Sequence, residues 1–329
     1  MHDDFRMILP SLHSAGGILK CFDYANHALS QGYKVTVYSP HTPAEVGIVF
    51  KRDDFAHFVQ GGATFLPRKA LPFDPECLYF FSLPTDFKFI EPFVERGLPT
   101  KRVVHIIQGK RHSSVDFQDG YAIRLLSRPM SRITINAIVR RAIDPYLNRS
   151  AICETIPLAH NTDYFRAPLR TLMQGRKLKV GYMTWKSDIG DRIAHLLASD
   201  ARFSFTAVRE PLDWPQLRKF YAELDVYLCA PKPQEGFYLP GLEAMAAGAV
   251  VLTPDVGGNM IYCRFGENCM DYDFDDAQSG AAALKHLTDA APQRITALQR
   301  QGHATIEAFS LDQERARFGA FIDQLGATG

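Results

Sequence analysis

No stretch of this chain stays apolar for as many as 18 residues, so nothing in it reads as a membrane-spanning helix. Charge of one sign is also missing. A net charge of +1 over 329 residues excludes a nucleic-acid binder that works by neutralising many phosphates. The dinucleotide fingerprint G-x-G-x-x-G is absent from the first helix, where Ser14-Ala15-Gly16-Gly17-Ile18 does not supply it, which weighs against a nicotinamide-dependent oxidoreductase. Cysteine is sparse and unpaired in sequence. Cys21, Cys77, Cys153, Cys229, Cys263 and Cys269 form no C-x-x-C, and several sit in apolar runs, as buried free thiols do in a reducing compartment. The first residues, His2, Asp3 and Asp4, show no apolar signal segment. Together these absences lead to the expectation of a cytoplasmic, enzyme-sized protein.

What is present is a regular alternation. Short apolar runs at 7–10, 33–38, 77–81, 103–107 and 133–135 read as strands joined by helical or irregular segments. A glycine turn at Gly16-Gly17 precedes a helix expected over 18–31. The pattern breaks near 150–178 and then restarts. Strands are expected at 178–183, 203–208, 226–230 and 250–253, with helices at 188–197, 214–224 and 239–247, and a helical tail begins at 277. The length exceeds what one hydrophobic core usually supports. The expected fold class is therefore α/β, with two Rossmann-like domains facing across a cleft. One Rossmann-like domain is expected over 1–160 and a second over 161–310. A C-terminal helix over 311–329 would pack back on the first domain.

The chemistry concentrates in 233–248. Glu235 and Glu243 stand eight residues apart on either side of a turn. Gly236 lets backbone amides approach a ligand. The amides of Phe237, Tyr238 and Leu239 open a helix whose N-terminus favours an anion such as a diphosphate. Glu243, one or two turns into that helix, can chelate a ribose diol. Two glutamates around a helix start are common without any ligand, so the pair alone is weak evidence. The whole stretch resembles family 4 of the glycosyltransferases, whose fold is GT-B, in its pattern E-G-F-x-x-P-x-L-E-A-M-A-x-G over 235–248. The resemblance extends to Pro157 through Phe165, to Gly257-Gly258, and to Gly266-Glu267-Asn268. It is dense from 155 to 275 and patchy before. Around Gln108 the chain is similar to bacterial rhamnosyltransferase-like members.

The resemblance implies a retaining, metal-independent glycosyltransferase that uses no cofactor. Its partners would be a nucleotide-sugar donor and a glycan or lipid-linked acceptor. Glu235 would be the catalytic residue, contacting the donor sugar and stabilising charge at the anomeric carbon. Glu243 would hold the ribose, and Gly16 and Gly17 would approach the diphosphate. Lys186 would supply a phosphate-binding cation. Three departures stand out. Tyr182 occupies the place of a family arginine, Gln108 that of a histidine, and Asn259 follows Gly258 where a glutamate is usual. His105 is expected to pack on the opposite face of its strand.

Other readings follow from particular residues. Asp271-Tyr272-Asp273 and Asp273-Phe274-Asp275 have the Asp-x-Asp spacing of a metal-dependent transferase. The missing arginine and histidine, at Tyr182 and Gln108, suit a non-catalytic protein that binds a nucleotide sugar or a glycan. Paired glutamates also suit a hydrolase. Six arginines between 120 and 152 (Arg124, Arg128, Arg132, Arg140, Arg141 and Arg149) face only Asp144. They read either as a solvated face or as a surface for an anionic acceptor or the inner membrane face.

Overall fold

The computed structural model describes residues 4–13, 15–47, 52–169, 176–233 and 235–327. The chain divides into two compact units, Met1–Leu158 with Leu311–Gly329, and Ala159–Ser310.

The first unit is built on seven parallel strands. These are β1 (Asp4–Ile8), β2 (Lys34–Ser39), β3 (Ala63–Pro67), β4 (Leu78–Phe81), β5 (Val103–Ile107), β6 (Ser131–Thr134) and β7 (Cys153–Thr155). Their order across the sheet is β3-β2-β1-β4-β5-β6-β7. β4 and β5 are buried along their whole length, as the continuous apolar runs of a two-sided parallel sheet require. Because β2 and β4 flank β1, the winding direction reverses between β1 and β4, and the loops leaving the carboxyl ends of those strands open there. The first helix, Gly16–Ser30, follows β1. The C-terminal helix, Leu311–Ala327, lies against it, with Phe318 edge-on to Tyr24 at 5.0 Å and to Phe5 at 6.2 Å.

The second unit has five parallel strands, β8 (Leu178–Met183), β9 (Phe203–Val208), β10 (Val226–Leu228), β11 (Val250–Thr253) and β12 (Met270–Asp271), in the order β12-β11-β10-β8-β9. Its reversal lies between β8 and β10. Val180, Val226, Leu228, Val250 and Leu252 join Ile189, Ile193 and Leu284 from flanking helices in one core. The helix Trp214–Glu223 starts with a capping box in which Asp213 and Gln216 satisfy one another's backbone amides. The helix Leu239–Ala246 has Pro240 in its first turn and no side-chain cap. In that first turn the Gly241 amide donates to the Tyr238 carbonyl at 3.2 Å.

Three short strands lie outside the sequence expectations. β3 falls between the runs at 33–38 and 77–81, β7 where the alternation breaks, and β12 after the last expected strand. All are sheet extensions of a few residues whose pairing partners, β2, β6 and β11, supply what their own pattern lacks.

Candidate functional site

In the second unit the winding reversal brings two expected residues together. Lys186 lies in the loop after β8 and Glu235 in the loop after β10, and the Lys186 ammonium donates to Glu235 Oε1. The same ammonium stands 5.0 Å from the centre of the Tyr238 ring. Glu235 is partly buried, so this ion pair sits where a ligand would meet it at the carboxyl ends of the strands. Trp185, beside Lys186, is 47% exposed.

Gly236, Phe237 and Tyr238 are buried, and the loop runs directly into the Leu239–Ala246 helix. The Phe237 side chain packs on Tyr262 and Phe309. Tyr262 Oη donates to the Tyr238 carbonyl at 2.6 Å, and Tyr238 Oη accepts from the Ala230 amide at 3.3 Å. These side chains brace the loop against the body of the second unit.

Glu243, in the second turn of that helix, is 6% exposed. Its Oε1 is 2.9 Å from His160 Nε2, and its Oε2 accepts from Tyr221 Oη at 2.9 Å. Burial and the nearby Glu243 carboxylate raise the Tyr221 pKa well above the ordinary phenol value, so Tyr221 stays a neutral donor. Neither His160 nor Tyr221 figures in the sequence reading. The signal was weak: His160 lies inside the segment from Pro157 to Phe165, which reads as a domain entry, and Tyr221 is one of several aromatics on an amphipathic helix.

The departures have structural accounts. Tyr182 is buried, with its ring against Gly190, where a β-carbon would overlap it. Its hydroxyl donates to Asp191 Oδ1 at 2.7 Å, and Arg209 holds the same carboxylate. Tyr182 is therefore a packing residue, and the cation on this loop is Lys186. Asn259 is fully buried and ties its own loop: its amide nitrogen donates to Thr253 Oγ1 and the Pro254 carbonyl, and its Oδ1 accepts from the Val256 amide.

In the first unit, Gly16 and Gly17 form the opening turn of the first helix, with no side-chain cap at Ala15. Gln108, after β5, donates to the Gly17 carbonyl at 3.0 Å and to Ser82 Oγ, beyond β4, at 2.9 Å. Gln108 thus braces the glycine turn at the winding reversal of this sheet. His105 is buried and stacks on Phe81 with ring centres 4.5 Å apart, and burial lowers its pKa well below the ordinary histidine value.

The arginine stretch is not one surface. Arg132 is fully buried and donates to the carbonyls of Met130, Leu125 and Arg128, while burial brings its pKa down to about 10. Arg128 pairs with Glu91 and Arg140 with Asp144. The acidic loop near 271–276 is likewise engaged. Asp275 pairs with Arg192, and Asp276 caps the helix Ala277–Asp289. Among the described residues, the one group of three candidate metal ligands is Asp4, Asp74 and Cys77, and the Arg6 guanidinium already lies 3.4 Å from Asp74 and 3.6 Å from Asp4. No described helix is long and apolar enough to cross a membrane.

Comparison with known proteins bears on the second unit first. Residues 168–290 match the family model for glycosyl transferases group 1. A D-inositol 3-phosphate glycosyltransferase from Rhodococcus erythropolis is 30% identical over 143 residues, 44% of this chain and 31% of that protein. The match therefore spans about a third of the length of that relative. Solved structures align over nearly the whole chain at low identity, which shows a shared fold. Sucrose-phosphate synthase from Thermosynechococcus elongatus is 16% identical with a TM-score of 0.71, covering 99% of this chain and 100% of its own. Anabaena HepE in complex with UDP-glucose is 14% identical with a TM-score of 0.70, covering 97% and 99%. A trehalose-phosphate synthase from Burkholderia vietnamiensis is 12% identical with a TM-score of 0.73, covering 99% and 100%. The chain has the GT-B fold of two parallel-sheet α/β sets, and its match to the glycosyl transferases group 1 family lies over residues 168–290.

Proposed function

We propose that the protein is a retaining glycosyltransferase that moves a hexosyl or deoxyhexosyl group from a nucleoside-diphosphate sugar to a glycan or lipid-linked acceptor, without a metal. The observation that carries this reading is the Lys186–Glu235 pair at the winding reversal of the second sheet, beside an uncapped helix N-terminus. An incoming diphosphate offers Lys186 a stronger partner than Glu235 does and meets the amide end of the helix, so the leaving charge is stabilised by groups already in place. Glu235, released, accepts from the donor sugar hydroxyls and faces the positive charge growing at the anomeric carbon. Glu243 takes the ribose diol.

In this scheme the acceptor hydroxyl attacks the anomeric carbon from the side of the leaving group. The bond to the diphosphate oxygen breaks, and that oxygen takes the acceptor proton. No enzyme nucleophile is needed, and positioning with electrostatic stabilisation supplies the rate. Residues of family 4 type over 235–248 support this choice. The acceptor side rests on the first unit, where Gln108 and the Gly16-Gly17 turn meet. Contact with an anionic membrane face has less support, because Arg128, Arg132 and Arg140 are engaged within the protein.

The test is a thermal-shift series with UDP, GDP, ADP, dTDP and CMP, each with and without EDTA, followed by assay of nucleotide release from the matching nucleotide sugar. UDP comes first because HepE was solved with UDP-glucose. A nucleotide at about 100 times its dissociation constant adds roughly 2.7 kcal/mol, a rise of a few degrees. A metal-independent shift with nucleotide release supports the proposal. Binding without release assigns the chain to the non-catalytic, donor-binding class. A shift that vanishes in EDTA overturns metal independence.

A further inference from the structure

Glu243 reaches its proposed ligand only through a carboxylate that two other side chains already hold. Resting on the reading that Glu243 binds the donor ribose, we infer that His160 and Tyr221 are positioning residues that set ribose recognition by fixing that carboxylate. A carboxylate only accepts, so at 2.9 Å His160 Nε2 must carry the proton and donate to Oε1. Tyr221 Oη donates to Oε2 at the same distance. Each oxygen keeps one lone-pair direction for a ligand hydroxyl. The two oxygens of one carboxylate can each accept from one hydroxyl of a ribose diol.

His160 is itself locked. Its backbone amide donates to the Phe309 carbonyl at 3.0 Å, and its carbonyl accepts from the Thr162 amide at 2.8 Å. Its ring stacks on Phe165, with centres 5.8 Å apart and planes 16° from parallel, and meets Trp214 edge-on at 5.7 Å. His160 is 3% exposed and Tyr221 fully buried. The rotamer of Glu243 is thus set by a chain running from Phe309 and Trp214 through His160, together with Tyr221 on the helix Trp214–Glu223. A glutamate with three free torsions has to lose that freedom when it binds a ligand, and here the loss is taken on folding.

The experiment is calorimetric titration of UDP, GDP and ADP against their 2′-deoxy counterparts, in the parent, His160→Gln, His160→Leu and Tyr221→Phe. A hydrogen bond to a charged group predicts that the parent favours one ribonucleotide over its deoxy form by about tenfold or more. His160→Gln, whose amide nitrogen stands in for Nε2, keeps that preference. His160→Leu reduces it to within about twofold, and Tyr221→Phe lowers it in part. A fold defect would weaken both members of a pair alike and leave the ratio unchanged. If the parent discriminates and both His160→Leu and Tyr221→Phe discriminate equally well, the positioning inference is overturned while the ribose reading stands. If the parent shows no preference with any base, the assignment of Glu243 to the ribose fails. Should His160→Leu not fold, the ratio in Tyr221→Phe decides: unchanged, it overturns the inference.

Discussion

Gly258 lies directly against the peptide joining Glu235 to Gly236. A β-carbon at 258 would overlap the Glu235 carbonyl oxygen and stand 2.7 Å from the Gly236 carbonyl carbon. Both partners are main chain, so neither can rotate away. Gly258→Ala must push the Glu235 loop outward, and a displacement on the order of 1 Å at a reacting centre costs about a hundredfold in rate. Nucleotide release from the donor sugar is expected to fall by that order, while nucleotide affinity falls less, because the Glu243 carboxylate is held separately by His160 and Tyr221. A Gly258→Ala variant as active as the parent would show that Glu235 need not be held where this glycine holds it.

Lys186 and Glu235 make opposite predictions for binding and chemistry. Removing the ammonium by Lys186→Ala takes away a charge-assisted contact to the diphosphate, worth about tenfold or more in nucleotide affinity. Glu235→Ala frees Lys186 from its internal partner, so nucleotide affinity holds or improves while transfer collapses, because the lost contact acts on the transition state. Calorimetry with the nucleotide and a release assay with the sugar donor separate the two. Equal losses of affinity in both variants would contradict this division of roles.

Most of the two sheets is legible in the sequence because the central strands are buried on both faces and read as continuous apolar runs, while the half-exposed edge strand at 203–208 alternates Phe203, Ser204, Phe205 and Thr206. Residues 103–107, 178–183, 203–208 and 250–253 coincide with strands to the residue. β3 and β7 escape because strands of five and three residues, partly exposed, carry too little pattern of their own. The winding reversal that joins Lys186 to Glu235 is set by which strands pair, and no local spacing encodes it. The arginine stretch misleads for the opposite reason. Arg132 has the composition of a surface residue, yet its guanidinium satisfies three carbonyls around the end of the helix Tyr121–Leu126, a use visible only once the chain has turned. His160 carries only the weak signal of its segment, since its importance comes from a glutamate 83 residues away.

Asp86 gives the first unit a pH dependence of known sign. Its carboxyl is 1% exposed; Oδ1 accepts from Arg68 at 2.8 Å, and Oδ2 has no hydrogen-bond partner among the described residues. Burial, only partly offset by Arg68, raises its pKa from 3.8 to about 7. Between those values the folded state keeps a proton that the unfolded state has released, so stability falls as pH rises. The contribution is fully present below pH 3.8 and gone above about 7, and its size is on the order of 4 kcal/mol. Asp86→Asn cannot titrate, so its stability relative to the parent should climb between pH 5 and pH 8 in urea titrations. Parallel pH profiles would rule out Asp86 as the titrating group.

The C-terminal helix is held to the first helix by a buried charge network, and its members are not equivalent. Glu314 accepts from Lys20 at 2.9 Å and lies 2.9 Å from His27 Nε2, while Lys20 also pairs with Asp23 at 2.8 Å and Asp23 with Arg52 at 2.7 Å. Glu314→Ala removes one charge and leaves a buried ammonium facing a single carboxylate that Arg52 already shares, so a loss of about 3–5 kcal/mol is expected. Removing both partners of the pair, with Lys20→Met and Glu314→Leu together, leaves Asp23 compensated by Arg52 and adds apolar packing beside Tyr24 and Phe318. That double variant should therefore be more stable than Glu314→Ala alone, although it lacks two charges instead of one. Urea denaturation of the three proteins decides the matter. If the double variant is the less stable, the network stabilises the fold by attraction beyond mere compensation of buried charge, and the helix Leu311–Ala327 depends on the ion pair more than on Phe318.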